Sequence, residues 1–231
     1  MGCGSFRITA KFQESALDAI LTTPTCPFQA KALLQKQDGS AVAVAGGTVT
    51  PTGPTRATIG RINGYWYHFD ASGWMQTGWL KLGSTWYYLS GSGAMLTGWQ
   101  RIGGSWYYMN ANGTMQTGWQ KLGGEWYYLC GSGAMLTGWY QVGSTWYYSN
   151  GSGAMLTGWQ SIGGKWYHLN GSGAMETGWY KVGSNWYYSN PSGVMRYSAW
   201  IGDYYLLGDG RMATNRWVGG YYVGADGKWV R

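Results

Sequence analysis

Charged side chains are scarce in this chain. Asp, Glu, Lys and Arg make up 11% of its 231 residues, and the net charge of +7 is spread without any run of like sign. From residue 60 onward eleven Lys or Arg stand against six Asp or Glu, roughly one base per repeat (Lys81, Arg101, Lys121, Lys165, Lys181). That is too thin for the continuous basic groove of a nucleic-acid binder; it favours adhesion to a polyanion, or reads equally as a solvated surface that keeps an aromatic protein soluble. Histidine is rarer still: His68 and His168 fall at one station of a repeat where Tyr88 and Tyr108 stand in other copies. They read as aromatic substitutes rather than as an acid–base pair, and no catalytic constellation is legible. The three cysteines, Cys3, Cys26 and Cys130, have no CxxC or Cys/His spacing, so neither a disulfide framework nor a metal site is expected, and no cofactor. Cys130 replaces an Asn or Ser found in other copies. No apolar run approaches the roughly 18 residues of a membrane span, so none is expected. The N-terminus lacks a basic stretch followed by an apolar core, so no secretory signal is readable. Its first residues start like a myristoylation signal but carry Phe6 where Ser or Thr is needed.

What is abundant is tryptophan, tyrosine and glycine, at 17, 20 and 41 residues. They recur with a period of twenty: Trp79, Trp99, Trp119, Trp139, Trp159 and Trp179 head successive copies, and Trp86, Trp106, Trp126, Trp146, Trp166 and Trp186 follow seven residues later. A fixed period of this size implies small supersecondary units that bury their apolar faces only by stacking on one another. Within a copy, Trp86-Tyr87-Tyr88-Leu89 favours a strand, Ser90-Gly91-Ser92-Gly93 a turn, and residues 94–97 a returning strand, which predicts a β-hairpin. Residues 80–85 then read as a loop or short extended connection. An isolated hairpin is marginal in water, so the Trp and Tyr side chains are expected to be buried between neighbours. On that expectation Trp126→Ala costs about 3–5 kcal/mol.

Residues 1–58 differ in composition and read as a linker-like, largely disordered segment or a truncated upstream region. Residues 12–21 are able to form a short amphipathic helix, and residues 48–55 an extended linker. Residues 59–231 form the repeat domain. It opens on Trp66-Tyr67-His68-Phe69, an incomplete unit without a preceding Gly-Trp, and ends in units that depart from the pattern, with Trp217 and Trp229 assigned to a cap.

Alternation along Trp86-Tyr87-Tyr88 sends Trp86 and Tyr88 to one face and Tyr87 to the other. Trp79 and Trp86 of one copy can then face Tyr107 of the next, with Met95 nearby, and three ring faces around a gap suit a quaternary ammonium. Filling of the core by the same rings is the other reading of this pattern.

The segment GWQRIGGSWYYMNANGTMQTGW and its sister copies resemble the choline-binding, or cell-wall-binding, repeats of bacterial surface proteins and wall lytic enzymes. The resemblance covers residues 60 to about 214, roughly two-thirds of the chain, through GW, WYY, G-x-M and TGW recurring every twenty residues. It implies an all-β fold, a left-handed β-solenoid of stacked β-hairpins, with choline groups of teichoic acid held between consecutive hairpins by two Trp of one repeat and a Tyr of the next. Carried over, the sites are Trp79, Trp86 and Tyr107; Trp99, Trp106 and Tyr127; Trp119, Trp126 and Tyr147; Trp139, Trp146 and Tyr167; Trp159, Trp166 and Tyr187. A sixth set, Trp179 and Trp186 with Tyr204, is set apart because Asp203 replaces the next Trp, and the two terminal units are expected to lack sites. The implied function is non-catalytic attachment outside the cell to choline-bearing teichoic acid or another cell-wall polymer. Related repeats that bind glucan or other carbohydrate offer an alternative, as does a purely structural stalk. The cage positions are flanked by Gly, Ser and Thr with few Asp, Asn or Arg to read sugar hydroxyls, which favours a cation.

Overall fold

A computed structural model describes residues 7–9, 31–33, 58–62, 64–70 and 75–230 of the chain. All regular structure among them is β. Arg7–Thr9 pairs in parallel with Lys31–Leu33, with Arg7 opposite Lys31. The helix expected over residues 12–21 and the linker at residues 48–55 lie outside the described residues.

From Thr58 onward the chain is a succession of two-stranded antiparallel hairpins. Thr58–Ile62 pairs with Tyr65–Phe69, so the first unit is a complete hairpin, with Ile59 where later copies have their first Trp. Gly78–Leu82 pairs with Thr85–Leu89, placing Trp79 opposite Tyr88, Leu80 opposite Tyr87 and Lys81 opposite Trp86. The same register recurs at Gly138–Val142 with Thr145–Ser149, and in the two copies that follow. The last two units are cut to three-residue strands, Ala199–Ile201 with Tyr204–Leu206 and Arg216–Val218 with Tyr221–Val223.

The hairpin therefore has a different phase from the one expected. Residues 80–85 are not a connection: they hold most of the first strand and the turn. The physical reason is the Gly-Ser or Gly-Gly pair between the strands. Two-residue hairpin loops need positive φ at their first or at both central residues, because only those turns match the twist of the strands. Gly103 and Gly104 have φ of 57° and 87°, whereas in the Gly83-Ser84 turn only Gly83 is positive, at 60°. Residues 94–97 return only as a bridge between Leu89 and Met95, closed by a turn in which Gly93 N–H donates to Ser90 O at 2.9 Å. In other copies Asn fixes this turn, as where Asn150 Oδ1 accepts from the N–H groups of Ser152 and Ala154.

The chain divides into two compact units, one reaching Gly118 and including Gly131–Ala134, the other comprising Trp119–Cys130 and Met135–Arg231. In the first, Met115 N–H donates to Trp86 O at 2.8 Å; in the second, Met155, Met175, Met195 and Met212 make the same bond to Trp126, Trp146, Trp166 and Trp186. Within each unit the described hairpins are thus tied one to the next through a methionine. From the second hairpin onward the core lies at the last residue of the second strand: Leu89, Met109, Leu129, Ser149, Leu169, Ser189, Leu206 and Val223 are all buried. The two serines there are matched by tyrosines on the facing strand, Tyr140 Oη to Ser149 Oγ at 3.0 Å and Tyr180 Oη to Ser189 Oγ at 2.9 Å.

Candidate functional site

Period-two alternation and the observed register put Trp79, Lys81, Trp86 and Tyr88 on one face of their hairpin and Leu80 and Tyr87 on the other. The first tyrosine of each copy is thereby aimed at the copy before it. The ring centroid of Tyr107 lies 4.9 Å from that of Trp79, and Trp86 closes another side at 6.1 Å and 88°. Tyr88, across the ladder, backs the Trp79 ring at 5.0 Å.

In the second unit Trp119 meets Trp126 at 6.3 Å and Tyr147 at 4.9 Å. Trp139 meets Tyr167 at 4.9 Å, and Trp159 meets Tyr187 at 4.8 Å. Trp146 and Trp166 stand on the same faces as Trp139 and Trp159 by register. Trp99 and Trp106, 6.5 Å apart, belong to the first unit, whereas Tyr127 belongs to the second. The set held apart on sequence grounds has the same approach, with Trp179 and Tyr204 at 5.2 Å. Asp203 is no obstacle to it, because the junction takes from the following copy a tyrosine and not a tryptophan.

Burial of the second tryptophan does not occur. Trp86, Trp126 and Trp166 are 38%, 41% and 47% exposed. The space between hairpins is already filled by Leu, Met and the Tyr–Ser pairs, so the indole stands up as an open wall. The expected cost of Trp126→Ala falls accordingly, from about 3–5 kcal/mol for a fully buried ring to about 2 kcal/mol.

The Trp159, Trp166 and Tyr187 rings open on a cavity of about 690 Å³, completed by Met195 and rimmed by Lys165, Tyr197 and Asp209. The methionine here comes from the following copy, the one whose N–H is bonded to the Trp166 carbonyl. By that register Met115, and not Met95, belongs with Trp79 and Trp86. Met95 belongs by the same register with Trp66, whose carbonyl accepts from the Met95 N–H at 2.8 Å.

The exposed indoles already attract cations. Lys81 Nζ lies 5.4 Å from the centre of the Trp86 ring, and Lys121 Nζ 5.9 Å from that of Trp126. His168 sits in the aromatic stack as expected, 4.8 Å from Trp159 and parallel to Tyr180 at 5.5 Å. It also pairs through Nδ1 with Glu176 Oε2 at 2.5 Å. The signal for that pair is legible after the fact: Glu176 is the acid at a station held by Leu96, Gln116, Leu136 and Leu156 elsewhere. At the other histidine, burial lowers the His68 pKa, against an opposing pull from Asp70, so the ring is neutral near pH 7.

Burial pushes the Tyr180 phenol up to about 12, with the Ser189 hydrogen bond acting the other way and Glu176 and Tyr187 adding to the rise. A raised folded-state pKa means that the unfolded phenol ionises first. Its contribution to stability is whole below about pH 10 and is lost on the way to about pH 12. Alkaline unfolding should therefore be less steep in Tyr180→Phe than in the parent chain, as followed by circular dichroism; equal slopes would contradict the assignment.

Family models for choline-binding repeats match residues 59–97, 96–138, 116–157, 136–176 and 156–200, and a second such model matches residues 194–229. Among solved structures the chain is similar to CbpJ from Streptococcus pneumoniae TIGR4 at 45% identity, covering 72% of this chain and 62% of that one, with a TM-score of 0.67. It is similar to choline binding protein F of Streptococcus pneumoniae at 41% identity, with coverage of 72% and 61% and a TM-score of 0.66. The choline-binding domain of CbpL from Streptococcus pneumoniae matches at 35% identity, with coverage of 75% and 96% and a TM-score of 0.59. The chain spans about three-fifths of the length of the first two. No curated protein matches it.

Proposed function

The chain belongs to the choline-binding repeat family, and on that premise we propose that residues 59–231 form a non-catalytic wall-attachment module. It holds choline groups of teichoic acid, at the cell surface, in aromatic cages between consecutive hairpins. Within the two units the cages are Trp79, Trp86 and Tyr107; Trp119, Trp126 and Tyr147; Trp139, Trp146 and Tyr167; Trp159, Trp166 and Tyr187; and, with them, Trp179, Trp186 and Tyr204. The observation that carries this reading is one arrangement repeated along the array. A first Trp lies 4.8–5.2 Å from the next copy's Tyr, beside a second Trp left open to solvent. Indole and phenol faces draw a cation that has no N–H to satisfy, with about 0.5–2 kcal/mol per contact. Weak single sites suffice, because cages engaging one polymer gain affinity through effective concentration.

Titration with choline, with its neutral carbon isostere and with a glucan oligosaccharide, followed by Trp fluorescence, tests the reading. Choline should shift the signal at concentrations where the isostere does little. Equal responses would leave only apolar filling, and a response to the glucan alone would replace the cation by a sugar. Trp126→Ala should remove one choline site per chain by calorimetry, at a stability cost of about 2 kcal/mol. Unchanged stoichiometry would remove that cage from the assignment.

A further inference from the structure

The sequence expects no site beyond the last full copy, since Asp203 stands at the second-Trp station. The shortened hairpin explains that loss, because with three-residue strands the station falls into the Gly202-Asp203 turn, where no indole can stand on a strand. The structure nevertheless gathers three rings there. In the full copies the station across from the cage is a methionine, as Met195 is to Trp166. At the end of the chain Trp229 holds that station. Its N–H donates to Asp203 O at 2.8 Å as that of Met212 does to Trp186 O, and its bridge to Val223 repeats the bridge of Met212 to Leu206. Tyr221 occupies the first-Tyr station, 5.8 Å from Trp200 at 84°, and Trp229 lies 5.2 Å from Tyr221 at 90°. The inner cage at Trp79 likewise has two edge-on contacts about one shared ring, 6.1 Å at 88° and 4.9 Å at 71°, the shared ring there being the first Trp and here the Tyr. Trp200 and Tyr221 are 39% and 48% exposed, as open as the inner walls.

We infer that Trp200, Tyr221 and Trp229 form a further cage for a quaternary ammonium such as choline, in which the methionine station supplies the indole that the second-Trp station has lost. The inference rests on the reading of the inner cages. The charged side chains of the same two hairpins balance, Asp203 and Asp226 against Arg216 and Lys228, and all four are exposed, so solvent screens them.

The test is choline calorimetry on the full chain and on Trp229→Ala and Trp229→Met, with thermal melts alongside. Trp229→Met restores the residue type of the inner copies and so keeps the segment folded if Ala does not. Both variants should lose one choline site per chain while the remaining sites keep their affinity. Unchanged stoichiometry in Trp229→Met, with Trp126→Ala losing a site, overturns this inference and leaves the inner cages standing. No choline binding by the parent chain overturns both.

Discussion

Gly173→Ala should lower the stability of the chain by about 2–5 kcal/mol, whereas Gly171→Ala, two residues away in the same turn, should be neutral or stabilising by about 0.4–1 kcal/mol. Two terms act at Gly173. Its φ of +82° lies in the left-handed region, which costs a residue with a Cβ about 1–2 kcal/mol. A Cβ there would also come within 2.3 Å of Met155 Sδ and 2.6 Å of its Cε. Met155 cannot withdraw as a whole, because its backbone is held by the bridge to Ser149 and by the bond from its N–H to Trp126 O. Its side chain has to leave the turn, and the misfit costs about 1–3 kcal/mol. Gly171 has neither constraint: nothing lies within 4 Å of its Cβ position, and its φ is not positive. Urea unfolding of the two variants against the parent separates the terms from general turn flexibility. Equal midpoints for Gly171→Ala and Gly173→Ala would rule out the methionine-in-turn contact as what links consecutive copies.

That contact also shows why the sequence was legible at one level and not at the next. The period of twenty is read from the recurrence of Trp, the pairing of a first Trp with the next copy's first Tyr follows from side-chain alternation, and the rings of Trp79 and Tyr107 do meet. The phase of the hairpin did not follow, because both glycine clusters of a copy carry turn chemistry. The longer Ser90–Gly93 cluster masks the Gly83-Ser84 pair that closes the ladder. Burial of the second Trp was misjudged because apolar character alone does not say which residues fill a gap. In each copy Leu89 and its counterparts do so, and Trp86 is left as a wall. The methionine partner was misassigned for a related reason: Met95 is close to its own copy in sequence, but its N–H is bonded to Trp66 O of the copy before, while that of Met115 is bonded to Trp86 O. Tyr204 was discounted through its neighbour Asp203, although only the tyrosine enters the junction.

The internal copies also act as an alignment of the chain with itself. Where the third residue of a first strand is Gln120 or Gln160, the buried residue that ends the facing strand is Leu129 or Leu169; where it is Tyr140 or Tyr180, that residue is Ser149 or Ser189. Volume and polarity are exchanged together, since the phenol fills the space of the missing leucine and its hydroxyl meets the serine at 2.9–3.0 Å. Ser189→Leu alone should therefore destabilise by about 2–5 kcal/mol, from an overfilled core and from a buried Tyr180 hydroxyl left without its partner. Adding Tyr180→Gln should recover about 1–3 kcal/mol of that loss, since it restores the pairing of Gln160 with Leu169 and allows the amide to reach a Thr carbonyl as Gln160 Nε2 reaches Thr157 O at 2.8 Å. Recovery should stop short of the parent because Tyr180 also stacks on His168 at 5.5 Å and on Tyr187 at 6.2 Å. Denaturant unfolding of the parent, both single variants and the double variant completes the cycle. Additive losses would mean that the two positions are not exchanged as a unit and that their agreement along the chain has another origin. A positive coupling would mean that the two positions are exchanged as a unit, in a core that also backs the cage rings Trp159 and Tyr187, each 6.2 Å from Tyr180.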